Sequence, residues 1–253
     1  MRPGVLRRAL VVVGCAALAV TASACESTQS ESAKIAREGG AAEVASTLKL
    51  GAANRDVRIS DVTLVSGAGR KAVAVKLTST SSRAQREVPL LVRVTGSGGK
   101  VVYSNATGAE ALLSHVTLLR PHASVWWVDD EVLTSTAATT ATVSVGSGQR
   151  STRDTRSAAL SAKTTHVAAQ GGVTTLSGVV VDHSAKAQSG VPVFAVAVRG
   201  GRVVAAGRAV VASVPVHASA PASFDLPLIG DATGAKIELA ALPGAAAASG
   251  GLK

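Results

Sequence analysis

The sequence has little of the material from which disulfide frameworks, soft-metal sites and membrane spans are built. It holds two cysteines, one methionine and, as aromatic residues, two tryptophans, two phenylalanines and one tyrosine. So few cysteines disfavour a disulfide-stapled fold, and the lack of methionines other than the initiator disfavours a copper site with soft ligands. The apolar run at residues 9–20 is too short for a membrane-spanning helix, which takes roughly 20 residues.

Positive charge is in excess but scattered along the chain. Lysine and arginine number 26 against 16 acidic residues, for a formal net charge of +10. Nucleic-acid binding needs a grouped basic face or stacking aromatics, so no nucleic-acid partner is expected. Such a surface could rest on anionic lipid head groups or an acidic wall polymer, although simple solubility is the favoured interpretation.

The first 25 residues have the pattern that export machineries recognise. Arginines at positions 2, 7 and 8 precede the apolar run at 9–20, and small residues then lead to Cys25. A basic start, a short apolar middle and a small-residue cleavage point predict an export signal at residues 1–24 that is removed. We therefore expect the protein to act outside the cytoplasm.

Cys25 suggests how the signal is processed. The segment resembles a bacterial lipoprotein signal peptide, in which a small residue precedes a cysteine that receives a diacylglyceryl group and further fatty acid such as palmitate. The small pair here is Ser23-Ala24, but Ala22 stands where that family usually has leucine, valine or isoleucine. The same residues would suit an ordinary signal peptidase. Because Cys15 would be cut away, Cys25 has no cysteine to pair with, which favours lipidation over plain secretion.

The remaining chain is long enough for two domains of roughly 100 residues each. Polar and glycine-rich stretches separate two regions that are rich in short apolar runs. The predicted organisation is a tether at 25–54, a first β-sandwich domain at 55–147, a linker at 148–157, a second β-sandwich domain at 158–244 and a flexible tail at 245–253.

Apolar residues alternate with others in the short runs, as in half-buried strands. One example is Val73, Val75 and Leu77. Another is the series Val88, Leu90, Val92 and Val94. The sequence therefore predicts an all-β fold. The predicted strands include residues 100–104, 114–119, 124–132, 139–145, 174–182, 191–198 and 202–206.

The second half of the sequence repeats the first. Val88-Pro89 precedes a basic-Val-Val segment at 100–102, as Val191-Pro192 precedes one at 202–204, which gives a period near 100 residues. The order of strands and turns is similar to the small Ig-like β-sandwich modules of bacterial surface lipoproteins, of the FxLYD type, although Phe194 is the only aromatic on the corresponding strand. The resemblance implies two tandem Ig-like sandwiches that act as spacers or binding platforms. The bias toward Ala, Gly, Val and Arg is typical of a high-GC Gram-positive, actinomycete-like bacterium.

Trp126 and Trp127 are the candidate ligand-binding residues. Neighbours on a strand face opposite ways, so one indole is expected in the core and the other outside. An outward indole could stack on a sugar ring or hold a protein partner. The alternative is that a loop or the second domain covers it.

No pattern of catalytic, cofactor-binding or metal-ligating residues is evident. The five histidines, at 115, 122, 166, 183 and 217, have no second ligand at metal-site spacing. The acidic cluster at 129–131 could hold calcium but is better interpreted as a strand end or an arginine partner. Residues 182–184 contain the triad types Asp, His and Ser in a row, a pattern that favours a turn. A hydrolytic site built from His122, Asp129 and Asp130 is the least favoured alternative.

The sequence thus predicts a non-enzymatic lipoprotein on the outer face of the cell membrane, held by its lipid anchor. Its expected role is that of a binding or assembly module whose partner is an envelope protein or wall polymer. The alternative is an extracytoplasmic receptor for a wall sugar or peptide that feeds a transporter or sensor.

Overall fold

Antiparallel β-strands make up the fold, and no α-helix occurs in the part of the chain that the structure describes. The structure is a computed structural model that describes residues 48–106, 113–134, 137–150, 160–184, 186–216 and 221–244. The predicted export signal, Cys25, the predicted tail and most of the tether and linker lie outside these residues. The prediction of an all-β sandwich fold is confirmed.

Residues 48–150, called here the N-terminal half, form two sheets. One sheet has the order β1-β2-β6, and in the other β3 pairs with β4, β5, β7 and β8. The strands are β1 (Val57–Gly67), β2 (Arg70–Ser79), β3 (Gln85–Gly96), β4 (Val101–Ser104), β5 (His115–Leu119), β6 (Ser124–Asp129), β7 (Ala138–Val145) and β8 (Gln149–Arg150).

Residues 160–244, called the C-terminal half, form a six-stranded sheet with the order β14-β11-β12-β13-β10-β9. β12 and β13 pair only at Ala205–Gly230 and Ala206–Ile229, so the sheet divides there into two layers, β12-β11-β14 and β9-β10-β13. The strands are β9 (Leu160–Gln170), β10 (Val173–Asp182), β11 (Gln188–Arg199), β12 (Arg202–Val214), β13 (Ala222–Gly230) and β14 (Lys236–Ala241).

The two halves repeat one pairing scheme. Sheet β1-β2-β6 corresponds to β9-β10-β13, and the β4-β3-β7 part of the second sheet corresponds to β12-β11-β14. The Val-Pro pairs mark this equivalence, because the Pro89 carbonyl accepts from the Gly146 amide just after β7 and the Pro192 carbonyl accepts from the Leu242 amide just after β14. The sequence repeat therefore has a counterpart in the hydrogen bonding.

Several strand ends differ from the predicted ones. The strand predicted at 124–132 ends at Asp129, whose Oδ1 accepts from the Glu131 amide at 3.1 Å and so turns the chain. The strand predicted at 202–206 continues to Val214, because β12 stays paired with β11 along nearly its whole length. β9 was not predicted, since its Ser-, Thr- and Ala-rich sequence shows no apolar alternation.

One apolar core crosses from the N-terminal to the C-terminal half. Sheet β1-β2-β6 contacts β11, β12 and β14, and we call this contact layer the junction. Residues of both halves share its core, among them Trp127, Val128, Phe194 and Val196. A second core lies within the C-terminal half, between β9-β10-β13 and the other face of β11. The backbones approach closely at one edge, where a Cβ on Gly67 would lie 2.4 Å from the Gly230 nitrogen.

Candidate functional site

The two candidate tryptophans lie on β6 at the junction, and both are buried. Trp126 is 7% exposed and Trp127 is fully buried. Strand β6 carries them because its residues pair with β2, with Trp126 opposite Lys76 and Trp127 opposite Val75. The expectation that one indole faces solvent is therefore wrong, and the alternative of cover by the second half describes the structure.

Trp126 joins the halves through its polar atom. Its indole nitrogen donates a hydrogen bond of 2.9 Å to the carboxylate of Glu238 on β14. The Lys76 ammonium lies 5.2 Å from the ring centroid, within cation–π range. The pKa of Glu238 lies below its usual range, mainly because its carboxylate accepts the hydrogen bond from Trp126. The positive charges of Lys236 and Lys76 lower it further. This indole is thus satisfied by the protein itself.

Trp127 joins the halves through apolar contact. Its ring centroid is 6.4 Å from that of Phe194 on β11, with the planes tilted by 43°. Both side chains are among the largest that are fully buried. A sugar that stacked on either indole would have to displace the C-terminal half. Ligand binding by these tryptophans therefore stays a prediction, and neither ring is exposed to support it.

The acidic cluster after β6 also faces the C-terminal half. Arg208 on β12 donates to Asp130 at 3.1 Å and to Glu131 at 2.9 Å. The side chains of Arg208 and Asp130 are only 8% and 10% exposed, so this ion pair is largely removed from water. Of the two interpretations that the sequence left open, the arginine-partner one matches this geometry.

Asp129, the third acidic residue, points into the protein. It is fully buried and accepts a 2.7 Å hydrogen bond from the Tyr103 hydroxyl. Burial raises the pKa of Asp129 to about 6, and the like charges of Asp130 and Glu131 add to the rise, against the lowering effect of the Tyr103 and Glu131 hydrogen bonds. Burial and the Asp129 carboxylate together raise the pKa of Tyr103 far above its usual range.

A cleft of about 370 Å³ opens where the halves meet, and no pattern in the sequence indicated it. It combines apolar side chains with Arg120, Ser124 and Ser161. Its lining comes from the end of β5, the start of β6, the start of β9 and the end of β14. Only the packing of four separate segments creates it, so no local pattern could have predicted it.

The described histidines and the Asp-His-Ser segment are not part of the apolar core at the junction. Asp182 accepts from the Ser184 amide at 2.7 Å, which is the turn that the sequence favoured. His183 instead lies 2.9 Å from the Ser161 hydroxyl at the cleft rim. His217 lies outside the described residues. Among those that are described, no three His, Cys, Asp or Glu side chains gather as a set able to hold a metal ion.

The least favoured alternative, a hydrolytic site, is not assembled. His122 precedes β6 and Asp129 ends it, so the length of the strand, roughly 17 Å, separates them. Catalytic groups must lie within hydrogen-bond reach of the same reacting atoms. These residues cannot act on one substrate bond in this arrangement.

Comparison with known proteins adds no family. No protein-family model matches the chain, and no curated protein matches it significantly. Across the described residues, no helix has the length and apolarity that crossing a bilayer requires.

Proposed function

We propose that this protein is an exported lipoprotein, held on the outer face of the cell membrane through Cys25, that serves as a non-enzymatic binding or assembly module. The observation that carries the proposal is the cysteine at the end of an export signal, with no second cysteine left for it to pair with after cleavage. Two acyl chains bury many methylenes at about 0.8 kcal/mol each, enough for stable anchoring.

The geometry of the described residues supports a module of this kind. Two of the side chains with the richest chemistry, Trp126 and Arg208, join the two halves. A shared core and a buried ion pair favour one stiff body over two independently moving ones. A stiff body suits a spacer or platform at the cell envelope.

The two cysteines provide a matched experiment for the anchor. The wild-type chain, Cys25→Ala and Cys15→Ala are expressed in a bacterium with lipoprotein processing, and the mature proteins are fractionated and weighed intact. We expect a diacylglyceryl mass increment and membrane partition for the wild type and Cys15→Ala, and neither for Cys25→Ala. An unmodified wild-type mass in the culture fluid would mean plain secretion.

The second candidate function, a receptor for a wall sugar or peptide that feeds a transporter or sensor, is favoured by the cleft at the junction. Its volume and its lining of apolar side chains with a few polar ones are usual for small-ligand sites. Calorimetry with purified wall fragments tests it, using the wild type and Ser161→Trp, which would fill the cleft. The control is Thr175→Trp, on β10 outside the cleft. Equal heats for all three proteins, or none, would rule this function out.

A further inference from the structure

Folding gathers arginines that the sequence scatters. Six of them lie at one end of the N-terminal half, where β1 and β3 begin and β2 and β5 end. We call this surface the basic end: Arg55, Arg58, Arg83, Arg86, Arg120 and Arg150.

Strand register holds three of these arginines together. Arg86 pairs with Leu118 on β5 and with Gln149 on β8. Its neighbour Gln85 pairs with Leu119 and Arg150. Arg86, Arg120 and Arg150 therefore lie within about one residue of each other across adjacent strands.

Loop contacts bring the other three to the same place. Arg58 pairs with Thr78 near the end of β2, and the Thr80 amide donates to the carbonyl of Asp56, next to Arg55. The turn that carries Arg83 is held by the His122 amide, which donates to the Ser81 carbonyl. All six arginines thus share one end of the molecule.

Charges of both signs lie at the other end. Gly67 lies beside Gly230 there, and the Arg70 guanidinium donates to the Asp130 carbonyl at 3.4 Å, which places the turns of both halves together. Among the described residues, this end carries acidic and basic side chains together: Asp129, Asp130, Glu131 and Asp231, with Arg70, Lys71, Lys100, Arg199 and Arg202.

In the described part of the N-terminal half, the acidic residues at the basic end are Asp56, which pairs with Arg150 at 3.0 Å, and Glu87. Arg55, Arg58, Arg83 and Arg86 form no ion pair with another described residue. Arg55, Arg58 and Arg83 are exposed and Arg86 is half-buried. Among the described residues, basic side chains therefore outnumber acidic ones more strongly at the basic end than at the other end, where the two signs are mixed.

We propose that the basic end docks on the anionic phospholipid surface of the membrane. The inference rests on the proposed lipid anchor for its location, and on charge complementarity for its orientation. The roughly 20 residues between Cys25 and Leu48 can span at most about 70 Å, whereas the 12 residues of β3 span only about 40 Å. The tether would therefore let either end reach the bilayer.

Of the two ends, the basic end is expected to face the membrane because of its charge. An arginine guanidinium binds phosphate through two parallel hydrogen bonds, and each basic residue held near an anionic surface strengthens binding several-fold. The attraction decays within a Debye length of about 8 Å at physiological salt, so it acts only on the end that touches the surface. Docking would leave the mixed-charge end facing outward.

Sedimentation with lipid vesicles tests the proposal without the anchor. The probe is residues 25–253 carrying Cys25→Ala, mixed with vesicles of phosphatidylcholine containing 30% or no phosphatidylglycerol. Arg58, Arg83 and Arg86 are changed together to glutamine. The control changes Lys71, Lys100 and Arg202 to glutamine, which removes the same charge from the other end. Thermal melting verifies that each variant folds, and Arg83→Glu alone replaces the triple variant if that one does not.

We expect salt-sensitive binding to the anionic vesicles only, weakened roughly 100-fold by the three changes at the basic end and little by the control. Equal weakening by both variants would mean a non-specific charge effect and overturn the proposal. Binding to an acidic wall polymer but to neither vesicle would overturn it as well. Because the probe carries no lipid, a failure of Cys25 lipidation would leave this result unaffected.

Discussion

β3 and β11 occupy equivalent places in the two halves but differ in how they are buried. Their inward residues correspond, with Leu90 and Val92 on β3 matching Val193 and Ala195 on β11. The outward residues do not, because β3 exposes Arg93 where β11 has the fully buried Val196. The outward face of β3 is therefore in contact with solvent, whereas β11 is apolar and buried on both of its faces.

The difference shows where the junction comes from. Phe194, Val196 and Val198 form the outward face of β11, and all three pack in the core that is shared with the N-terminal half. Their counterparts on β3, Leu91, Arg93 and Thr95, lie on the sheet face away from that core. A few substitutions on one face of a repeated strand thus separate a surface from an interface.

Exchanging the outward residues of β3 and β11 should have the largest effect on the free energy of unfolding. Val196→Arg would place at the junction the residue that β3 carries, leaving an unpaired charge in an apolar core. We expect a loss on the order of 4 kcal/mol or more in the free energy of unfolding. The reverse exchange, Arg93→Val, should change it by less than about 1 kcal/mol. Urea denaturation of both variants measures this, and similar losses would contradict the difference in burial.

Arg208 and Arg199 of the C-terminal half form ion pairs that differ in burial, and this difference sharpens the comparison. Arg208→Ala would leave Asp130 nearly buried without its cation, and a loss of about 3 kcal/mol is expected. Arg199→Ala removes an exposed pair with Asp231 and should cost less than about 1 kcal/mol. Chemical denaturation at low and high salt separates them, since only the exposed pair is easily screened. Equal losses would mean that the junction pair is open to water.

Asp129, buried beside Tyr103 within the N-terminal half, gives the stability of the fold a pH dependence. Its folded pKa of about 6 is above the unfolded value near 3.8, so protonation favours the fold. From this group, the free energy of unfolding should increase as pH falls from 7 to 4, by up to about 3 kcal/mol. Asp129→Asn should remove that increase. An unchanged pH profile in the variant would show that Asp129 titrates normally.

The smallest expected effect concerns the Trp126 hydrogen bond. Trp126→Phe keeps an aromatic ring beside Lys76 but removes the donor to Glu238, at a cost of about 1 kcal/mol. Without that donor the pKa of Glu238 should move up toward its usual value. The stabilisation that Glu238 gives above its unfolded pKa, and loses in acid, should then decrease. NMR titration of the Glu238 carboxyl in both proteins provides the test.

Local patterns predicted the strands well and their assembly poorly. Alternation identified β2 and β3, because one face of each is apolar over several residues. β9 gave no such pattern, since neither of its faces is continuously apolar and its tip is exposed on both sides. The pairing of Trp126 with Glu238 joins residues 112 positions apart, and that of Arg208 with Asp130 joins residues 78 apart. No sequence spacing could have indicated either contact.

The halves meet through unlike sheets, and this mode of contact is open-ended. A contact between unlike surfaces does not close on itself, so further units could in principle add to either end of the stack. Polar side chains cover both terminal faces, with Thr140 and Thr142 beside Arg93 at one end and Lys163 and Asp225 at the other. These faces act as caps of the kind that end repeat arrays, because neither offers an apolar surface on which a further unit could pack.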